Sequence, residues 1–245
     1  MPGVQRLTCR VVALEPASRD IRILRLALPE GARFDFRAGQ YAALGFGNLP
    51  ARDYSMASRP GEAPLEFHVQ QMNREGASGY VASRLAPGEA VSLEGPYGEA
   101  WLRSEHEGPI LAVAGGSGLA PIKSIVEAAL ALGMSQPIHL YFGAAEEDGL
   151  YLAAHFEALA RRHPNLRFVP VLSAPQGDTR RRRGLVTEAI AEDFPDLTGF
   201  KVYLAGPTAM AEAALALLRE RALPEADIHA DPFYTVAEKA ERGLD

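Results

Sequence analysis

The feature that most restricts the fold of this chain is a change in the spacing of its apolar residues near residue 104. Up to about Trp101, short segments with strand-like alternation are separated by turns that contain proline or glycine. Six or so strands at this spacing predict a small antiparallel β-barrel. One segment, YVASRLA, has helical spacing instead. The strand-like segments are CRVVAL, IRILRLAL, QYAALGF, LEFHVQQM and AVSLEGPYG.

After the polar connection RSEHEG, apolar runs alternate with longer amphipathic stretches. PILAVAGG precedes APIKSIVEAALALG, and the same alternation recurs as far as KVYLAG and PTAMAEAALALLRERA. Repeated strand–helix units predict a parallel sheet covered on both faces, with ligands at the carboxyl ends of its strands. We therefore predict two domains, a six-stranded antiparallel barrel in residues 1–104 and a Rossmann-like α/β domain in residues 105–245.

Composition narrows the possible functions. The 245 residues carry a formal net charge of -6, so the totals do not indicate a nucleic-acid partner. The single cysteine, Cys9, excludes a disulfide framework and a cysteine-ligated iron–sulfur cluster, and no metal site is predicted. The sequence shows no signal-peptide pattern and no apolar run of about 20 residues, so we expect a cytoplasmic protein without a membrane partner. Its oligomeric state is not indicated.

A glycine-rich turn lies between the first apolar strand and the first helix of the second half. In ILAVAGGSGLAPIKSI, glycines allow close backbone approach to a pyrophosphate, and the N–H groups at the helix start attract its charge. The pattern is G-x-G-x-x-P rather than the full dinucleotide fingerprint, so a plain strand-to-helix turn is an equal alternative. The candidate residues are Gly116, Ser117, Gly118 and Pro121.

A second turn, in VYLAGPTAM, puts Gly206 and Pro207 before the last long helix. Proline is common at helix starts for conformational reasons alone, so this turn also has a purely structural alternative. Both turns follow strands of the predicted parallel sheet. We expect them to lie near each other and to form a cleft.

A third dense stretch, ARDYSMASRP, carries an arginine, a tyrosine and two serines within a few residues. Together with this stretch, the segments RDYS, GYVASRL, GPYG, GGSGLAP, YFGA, AGPTAM and DPFY occur in an order that resembles the ferredoxin–NADP reductase superfamily. The similarity is strongest to its NAD(P)H:flavin reductases and oxygenase-reductase components without an iron–sulfur domain, and it covers nearly the whole chain. The resemblance implies FAD as cofactor and NADH or NADPH as electron donor.

The R-x-Y-S motif of this family holds the flavin. By resemblance, Arg52 pairs with the pyrophosphate, Tyr54 packs on the isoalloxazine and Ser55 hydrogen-bonds near its N5 or O4. Asp53 completes the motif. The alternative is structural: Arg52 and Asp53 form a surface pair, and Tyr54 fills the end of the barrel.

Two further segments are implied in flavin binding. GYVASRL corresponds to a glycine-led helix whose backbone N–H groups face the pyrophosphate, here those of Val81, Ala82 and Ser83 after Gly79. The usual serine or threonine falls at Ala82, so that hydroxyl is expected to be lost. The strand beside the ribityl chain supplies His68, Val69 and Gln70, and an ordinary strand side chain is an equal alternative for His68.

The nicotinamide side is implied by AGPTAM and by the closing segment HADPFY, which returns to the flavin. Gly206, Pro207 and Met210 remain from the family motif, while Ala205 replaces its cysteine. Ser117 stands at the position of a common threonine that faces both rings. Asp231 and Phe233, followed by Tyr234, are expected at the flavin, although a core phenylalanine is an alternative for Phe233.

The choice between NADH and NADPH depends on the segment after YFGA. Ala145 stands where NADPH-dependent members place an arginine, and Glu146, Glu147 and Asp148 follow it and repel a phosphate. Ser173 and the arginines at 180–183 are an opposing signal, although a solvated basic loop explains the arginines better. NADH is therefore slightly preferred.

The function that follows is hydride transfer from NAD(P)H to bound FAD, then electron transfer to a ferredoxin, an oxygenase component or free flavin. The chemistry belongs to the cofactors, so the protein supplies geometry. The catalytic set is Tyr54, Ser55, Ser117, Asp231 and Phe233. The alternative is a non-catalytic flavin- or nucleotide-binding module that senses redox state, supported by the departures at Ala82 and Ala205.

Overall fold

The computed structural model describes residues 3–233 of the chain. They form two six-stranded sheets, one antiparallel and one parallel, joined by residues 98–109. The predicted fold class is confirmed, and the predicted division after residue 104 falls within this connection. Among the described residues, no helix has the length and apolar character needed to cross a bilayer.

The N-terminal sheet is an almost closed antiparallel barrel. Its edge strands approach each other through a bridge between Met56 and Phe67, and Ala57 donates a backbone hydrogen bond to Glu66 at 2.7 Å. The strands are β1 (Gln5–Pro16), β2 (Ile21–Ala27), β3 (Tyr41–Phe46), β4 (Arg52–Ser55), β5 (Leu65–Gln70) and β6 (Ala90–Tyr97), and helix α1 (Gly76–Ser83) lies between β5 and β6. Their order in the sheet is β4-β3-β6-β1-β2-β5.

Strand β5 shows how the barrel is built and how it meets the second domain. Leu65, Phe67 and Val69 are buried in the barrel core. Successive side chains of a strand point to opposite faces, so the polar residues between them and after them face outward from the barrel. Several of these polar groups contact the second domain, as described below.

The C-terminal sheet is parallel throughout. Its strands are β7 (Ile110–Gly115), β8 (Ile138–Ala144), β9 (Leu166–Leu172), β10 (Arg182–Arg183), β11 (Lys201–Pro207) and β12 (Ile228–Phe233), in the order β10-β9-β8-β7-β11-β12. Its helices are α2 (Leu119–Ala131), α3 (Ala153–Arg162), α4 (Val186–Asp193) and α5 (Thr208–Glu220). The strand–helix alternation of the sequence therefore produces the structure expected from it.

Helices cover both faces of this sheet. Apolar residues of α2 and α3, such as Ile125 and Phe156, share one core cluster with the sheet. Residues of α4 and α5, such as Ile190 and Leu218, share the other. Strand β7 is buried along its whole length because it lies between the two clusters.

Direct contacts fix the barrel against the α/β domain. The Ser124 hydroxyl on α2 donates to the Ser58 carbonyl at 2.7 Å, and Lys123 donates to the Ala57 carbonyl at 3.2 Å. Ile21 of the barrel belongs to the same apolar cluster as α2 and α3. The crevice between β4 and the carboxyl edge of the parallel sheet therefore has a defined shape.

Candidate functional site

The β3–β4 hairpin presents the residues of the RDYS segment. Tyr41 pairs with Ser55 and Leu44 with Arg52, so Arg52 and Tyr54 project from one side of β4 and Ser55 from the other. Tyr54 is half-buried with its ring edge-on to Phe46 at 6.2 Å, and burial raises its pKa to about 12. The phenol is therefore uncharged at neutral pH.

Arg52 differs from Tyr54 in its surroundings. Its side chain is exposed, and Nη1 donates to the Ala51 carbonyl at 3.2 Å. A guanidinium in this position carries its charge toward solvent at the mouth of the hairpin, where an anion can reach it.

Two polar contacts span the crevice. The hydroxyl of buried Ser55 donates to Asp231 Oδ2 on β12 at 3.4 Å. The Ser117 hydroxyl donates to Gln70 Oε1 on β5 at 3.4 Å. Four of the predicted site residues, from distant parts of the sequence, therefore meet here in two pairs.

The two glycine turns pack against each other, as expected from their place at the ends of neighbouring strands β7 and β11. Gly116 has a φ of +53°, and a Cβ added there would lie 3.0 Å from Gln70 Oε1. A Cβ on Gly118 would lie 2.3 Å from the Ala205 carbonyl oxygen. Gly118 thus allows the turns to touch, whereas Gly116 shapes the crevice wall.

The residues after β11 complete this wall. A Cβ on Gly115 would lie 2.6 Å from the sulfur of Met210, so that side chain covers the glycine turn. Pro207 is exposed and pairs with half-buried Phe233 across β11 and β12. Pro121 is buried in the first turn of α2. Tyr234, also named in the sequence prediction, lies outside the described residues.

The predicted anion site on α1 needs a correction. The helix begins at Gly76, so the N–H groups of Val81, Ala82 and Ser83 lie beyond its first turn and donate within the helix. Val81 is buried in the barrel core, and the Ser83 hydroxyl donates to the Gly79 carbonyl at 2.7 Å. A Cβ on Gly79 would lie 2.3 Å from the Arg74 carbonyl oxygen, so Gly79 serves packing.

The backbone N–H groups left without a helical partner lie in the first turn of α1 instead. The N–H groups at 76–78 have no intrahelical partner by position, and the turn carries the Ser78 hydroxyl, which accepts a hydrogen bond from the Met72 N–H at 3.4 Å. A hydroxyl is therefore present one turn before Ala82. A cavity of about 400 Å³ lies between α1 and the hairpin residues 46–49. Its α1 side is formed by residues 74–76 together with Tyr80, Ser83 and Arg84.

The three predicted site residues on strand β5 lie in three different surroundings. Gln70 faces the crevice, where it contacts Ser117. Val69 is buried in the barrel core. His68 is buried in the domain contact, with Nδ1 2.9 Å from the Tyr151 hydroxyl. The side chain of Val69 points to the opposite face of the strand from Gln70. His68 shares the outward face with Gln70 but is engaged by Tyr151 instead of the crevice.

A second cavity, of about 550 Å³, lies beyond β8 and β9 at the same sheet edge. Ala145 and Ser173 flank it. Backbone hydrogen bonds connect their two segments, from the Ser173 N–H to the Ala144 carbonyl at 3.0 Å and from the Ala174 N–H to the Ala145 carbonyl at 2.9 Å. Glu146, Glu147 and Arg180 line it. The arginine run is not a uniform solvated loop: Arg181 pairs with Glu147 and Glu157, Arg182 pairs with Glu192 and Asp193, and Arg182–Arg183 form strand β10.

These groups fit FAD and a nicotinamide nucleotide. A helix start is available for each pyrophosphate, at α1 and at α2, and exposed Arg52 lies at the hairpin. Gly116 leaves the crevice wall without a side chain. Within residues 3–233, no group of three or more His, Cys, Asp or Glu side chains is arranged to hold a metal ion.

Comparison with known families agrees with this division of the chain. Residues 8–101 match the oxidoreductase FAD-binding domain, and residues 112–215 match the oxidoreductase NAD-binding domain. The reductase component of a naphthalene 1,2-dioxygenase/salicylate 5-hydroxylase system from Ralstonia sp. is 43% identical over 224 residues, which are 91% of this chain and 68% of that protein. The chain belongs to the ferredoxin–NADP reductase superfamily.

Two other superfamily members are also similar. An NAD(P)H-flavin reductase from Aliivibrio fischeri is 33% identical over 85% of this chain and 89% of its own length. The crystal structure of an Amycolatopsis cytochrome P450 reductase has a TM-score of 0.88 with 34% identity, covering 95% of this chain and 71% of that one. This superfamily member is therefore an NAD(P)H-dependent flavoprotein reductase rather than a non-catalytic sensor.

Some residues of the site carry little signal in the sequence. The first turn of α1 is hard to predict because helical spacing is clearest in YVASRLA, four residues later. The signal was available in the preceding glycine and serine, which favour helix starts. Tyr151 gave no local signal, because its partners lie far away in sequence.

Proposed function

We propose that the crevice binds FAD on the hairpin side and NAD(P)H on the side of the glycine turns, and that the protein delivers electrons to a ferredoxin or an oxygenase component. The observation that carries this proposal is the pair of contacts across the crevice, Ser55 with Asp231 and Ser117 with Gln70, each at 3.4 Å. When bound, FAD supplies the capacity to accept a hydride and to release electrons singly or in pairs.

On the flavin side, Arg52 and the first turn of α1 hold the pyrophosphate. A guanidinium offers two charge-assisted hydrogen bonds to an anion, and the helix start adds backbone donors. Tyr54 packs its ring on the isoalloxazine and stays protonated, which makes its hydroxyl a neutral donor. Asp53 lies between Arg52 and Tyr54 on the same hairpin, paired with Ala43.

On the nucleotide side, Gly116, Ser117 and the Gly206–Pro207 turn hold the nicotinamide end. The Ser55 and Ser117 hydroxyls orient the reacting groups, while Asp231 fixes Ser55. Phe233 lies half-buried at the end of β12 and excludes water from the crevice. No protein base is required, since hydride transfer moves no proton to a side chain.

We also propose that NADH is the preferred donor. The cavity that would receive the adenosine is lined by Glu146 and Glu147, whose carboxylates accept hydrogen bonds from ribose hydroxyls and repel a 2′-phosphate. Arg181 and Arg182 are already held by carboxylates. Arg180 is the cavity residue with the opposite preference, so its removal is informative.

The acceptor follows from chemistry and similarity together. One relative is the reductase component of an oxygenase system that uses ferredoxin, and another is a flavin reductase. A one-electron acceptor such as a ferredoxin suits a flavin that can release electrons singly. We place the domain boundary after residue 104, in the connection between β6 and β7.

The test uses FAD-loaded protein mixed with NADH without oxygen. Loss of the visible flavin absorbance within seconds, faster with NADH than with NADPH, is the expected result. Addition of an oxidised ferredoxin should then restore the absorbance. FAD-loaded protein that keeps its absorbance with both nucleotides would refute the proposal, and reduction without ferredoxin-dependent reoxidation would refute the acceptor alone.

A further inference from the structure

One buried hydroxyl links the barrel to the glycine turn. Tyr151 lies between β8 and α3, and its hydroxyl is 2.9 Å from His68 Nδ1 on β5. The same hydroxyl is 3.2 Å from the carbonyl oxygen of Gly116. It thus touches a side chain of the flavin-side domain and the backbone of the turn proposed to hold the nucleotide.

A tyrosine hydroxyl has one proton and can donate it to only one of these acceptors at a time. His68 Nε2 lies 3.3 Å from Glu66 Oε1, an arrangement that needs a proton on Nε2. Burial lowers the pKa of His68, so the neutral ring keeps its proton on Nε2 and accepts from Tyr151 through Nδ1. Protonated His68 instead donates through Nδ1, which turns the Tyr151 proton toward Gly116.

Charged groups around the pair support this arrangement. Burial opposes the ionisation of Glu66, but the His68 hydrogen bond and the nearby cations outweigh burial and lower the Glu66 pKa to about 2. Burial also raises the pKa of Tyr151 well above its usual value, so its proton is retained. The charged groups that act on the pair are Glu66, Lys123, Glu127 and Asp20, with Arg25 bound to Glu66.

We propose that His68 and Tyr151 are positioning residues that hold the glycine turn in register with the flavin-side barrel by sharing the Tyr151 hydroxyl between His68 and Gly116. The inference rests on the proposed function, because the register matters only if the turn holds the nucleotide. Neither side chain reaches the crevice itself, so both act through the Gly116 backbone.

The test compares FAD-loaded Tyr151→Phe, His68→Gln and the double variant with wild type. The matched control is Tyr141→Phe, which removes another buried tyrosine hydroxyl, one that donates to Asp193 on α4. In Tyr151→Phe we expect the dissociation constant of NAD⁺, measured by calorimetry, to rise about three- to tenfold. The rate of flavin reduction by saturating NADH should fall about tenfold, with FAD content unchanged.

Two further results separate positioning from simple stability. The losses of NAD⁺ affinity in Tyr151→Phe and His68→Gln should not add in the double variant, because each substitution breaks the same connection from His68 through Tyr151 to Gly116. Wild-type affinity for NAD⁺ should stay constant while His68 is neutral and should rise as the pH falls through the His68 pKa, which burial holds below its usual value. This rise should vanish in either variant. If Tyr151→Phe does not fold, the same measurements of NAD⁺ affinity and its pH dependence are made on His68→Gln.

Wild-type affinity and wild-type pH dependence in either folded variant would overturn the inference. So would an equal loss in Tyr141→Phe, which would assign the effect to stability. Failure of the proposed function is distinguishable, because wild-type protein would then bind NAD⁺ weakly and would not be reduced by NADH at all.

Discussion

Replacing Arg52 by alanine should weaken FAD binding without weakening the fold. The side chain is exposed, and the contact it makes in the structure is to the Ala51 carbonyl, so the apoprotein loses little. In the complex, the pyrophosphate loses a charge-assisted partner worth about 1.5–3 kcal/mol. This corresponds to a roughly 10- to 150-fold rise in the dissociation constant of FAD, measurable by quenching of flavin fluorescence during titration.

Arg10→Ala is the matched control for this experiment. Arg10 is also an exposed barrel arginine whose guanidinium donates to a backbone carbonyl, that of Gly88 at 2.6 Å. Its removal should leave FAD affinity unchanged, and both variants should melt within about two degrees of wild type. Equal FAD affinity in Arg52→Ala and Arg10→Ala would refute the assignment of the pyrophosphate to Arg52.

Three further substitutions test other parts of the structure. Gly118→Ala places a methyl group 2.3 Å from the Ala205 carbonyl oxygen and should lower the free energy of unfolding by more than about 2 kcal/mol in denaturant titrations. The control Gly31→Ala has open space around it and should cost about 1 kcal/mol. Equal costs in the two variants would contradict the packing of the turns. The Glu66 pKa of about 2 lies below its ordinary value of 4.5, so the stabilisation by its carboxylate is present above pH 4.5 and is lost as the pH falls toward 2. Glu66→Gln should remove at most about 3 kcal/mol of this acid-dependent stability, and an unchanged pH profile of unfolding would count against the network. Glu146→Arg should raise kcat/KM for NADPH about tenfold; no gain in steady-state assays would place the adenosine elsewhere.

Much of the fold could be predicted because alternation and helical spacing are local properties. LEFHVQ predicts a strand from its own residues, and the strand–helix repeats after residue 104 predict a parallel sheet. The segment LEFHVQ does not indicate which residues of the second domain contact its polar side chains. Glu66 contacts Lys123 of α2, and His68 contacts Tyr151, through packing between domains.

The start of α1 shows a different difficulty. Helix boundaries depend on which residues can leave their N–H groups without a partner, and this is decided by the surrounding structure. Gly79 looked like the helix leader, yet it lies inside the helix, where only a glycine fits against Arg74. A conformational need and a binding role produce the same residue type.

The arginine run illustrates a third kind of difficulty, because adjacent like charges suggest a solvated loop. Their partners come from three other segments: Glu147 beyond β8, Glu157 on α3, and Glu192 with Asp193 around α4. Ion pairing of this kind depends on tertiary contact and leaves no local pattern.

The placement of FAD is tested most directly by a crystal structure of the protein soaked with the cofactor. We expect its pyrophosphate against Arg52 and the first turn of α1, and its ring system on Tyr54 beside Ser55. A saturated crystal with FAD bound away from the β3–β4 hairpin, or with none bound, would contradict the assignment.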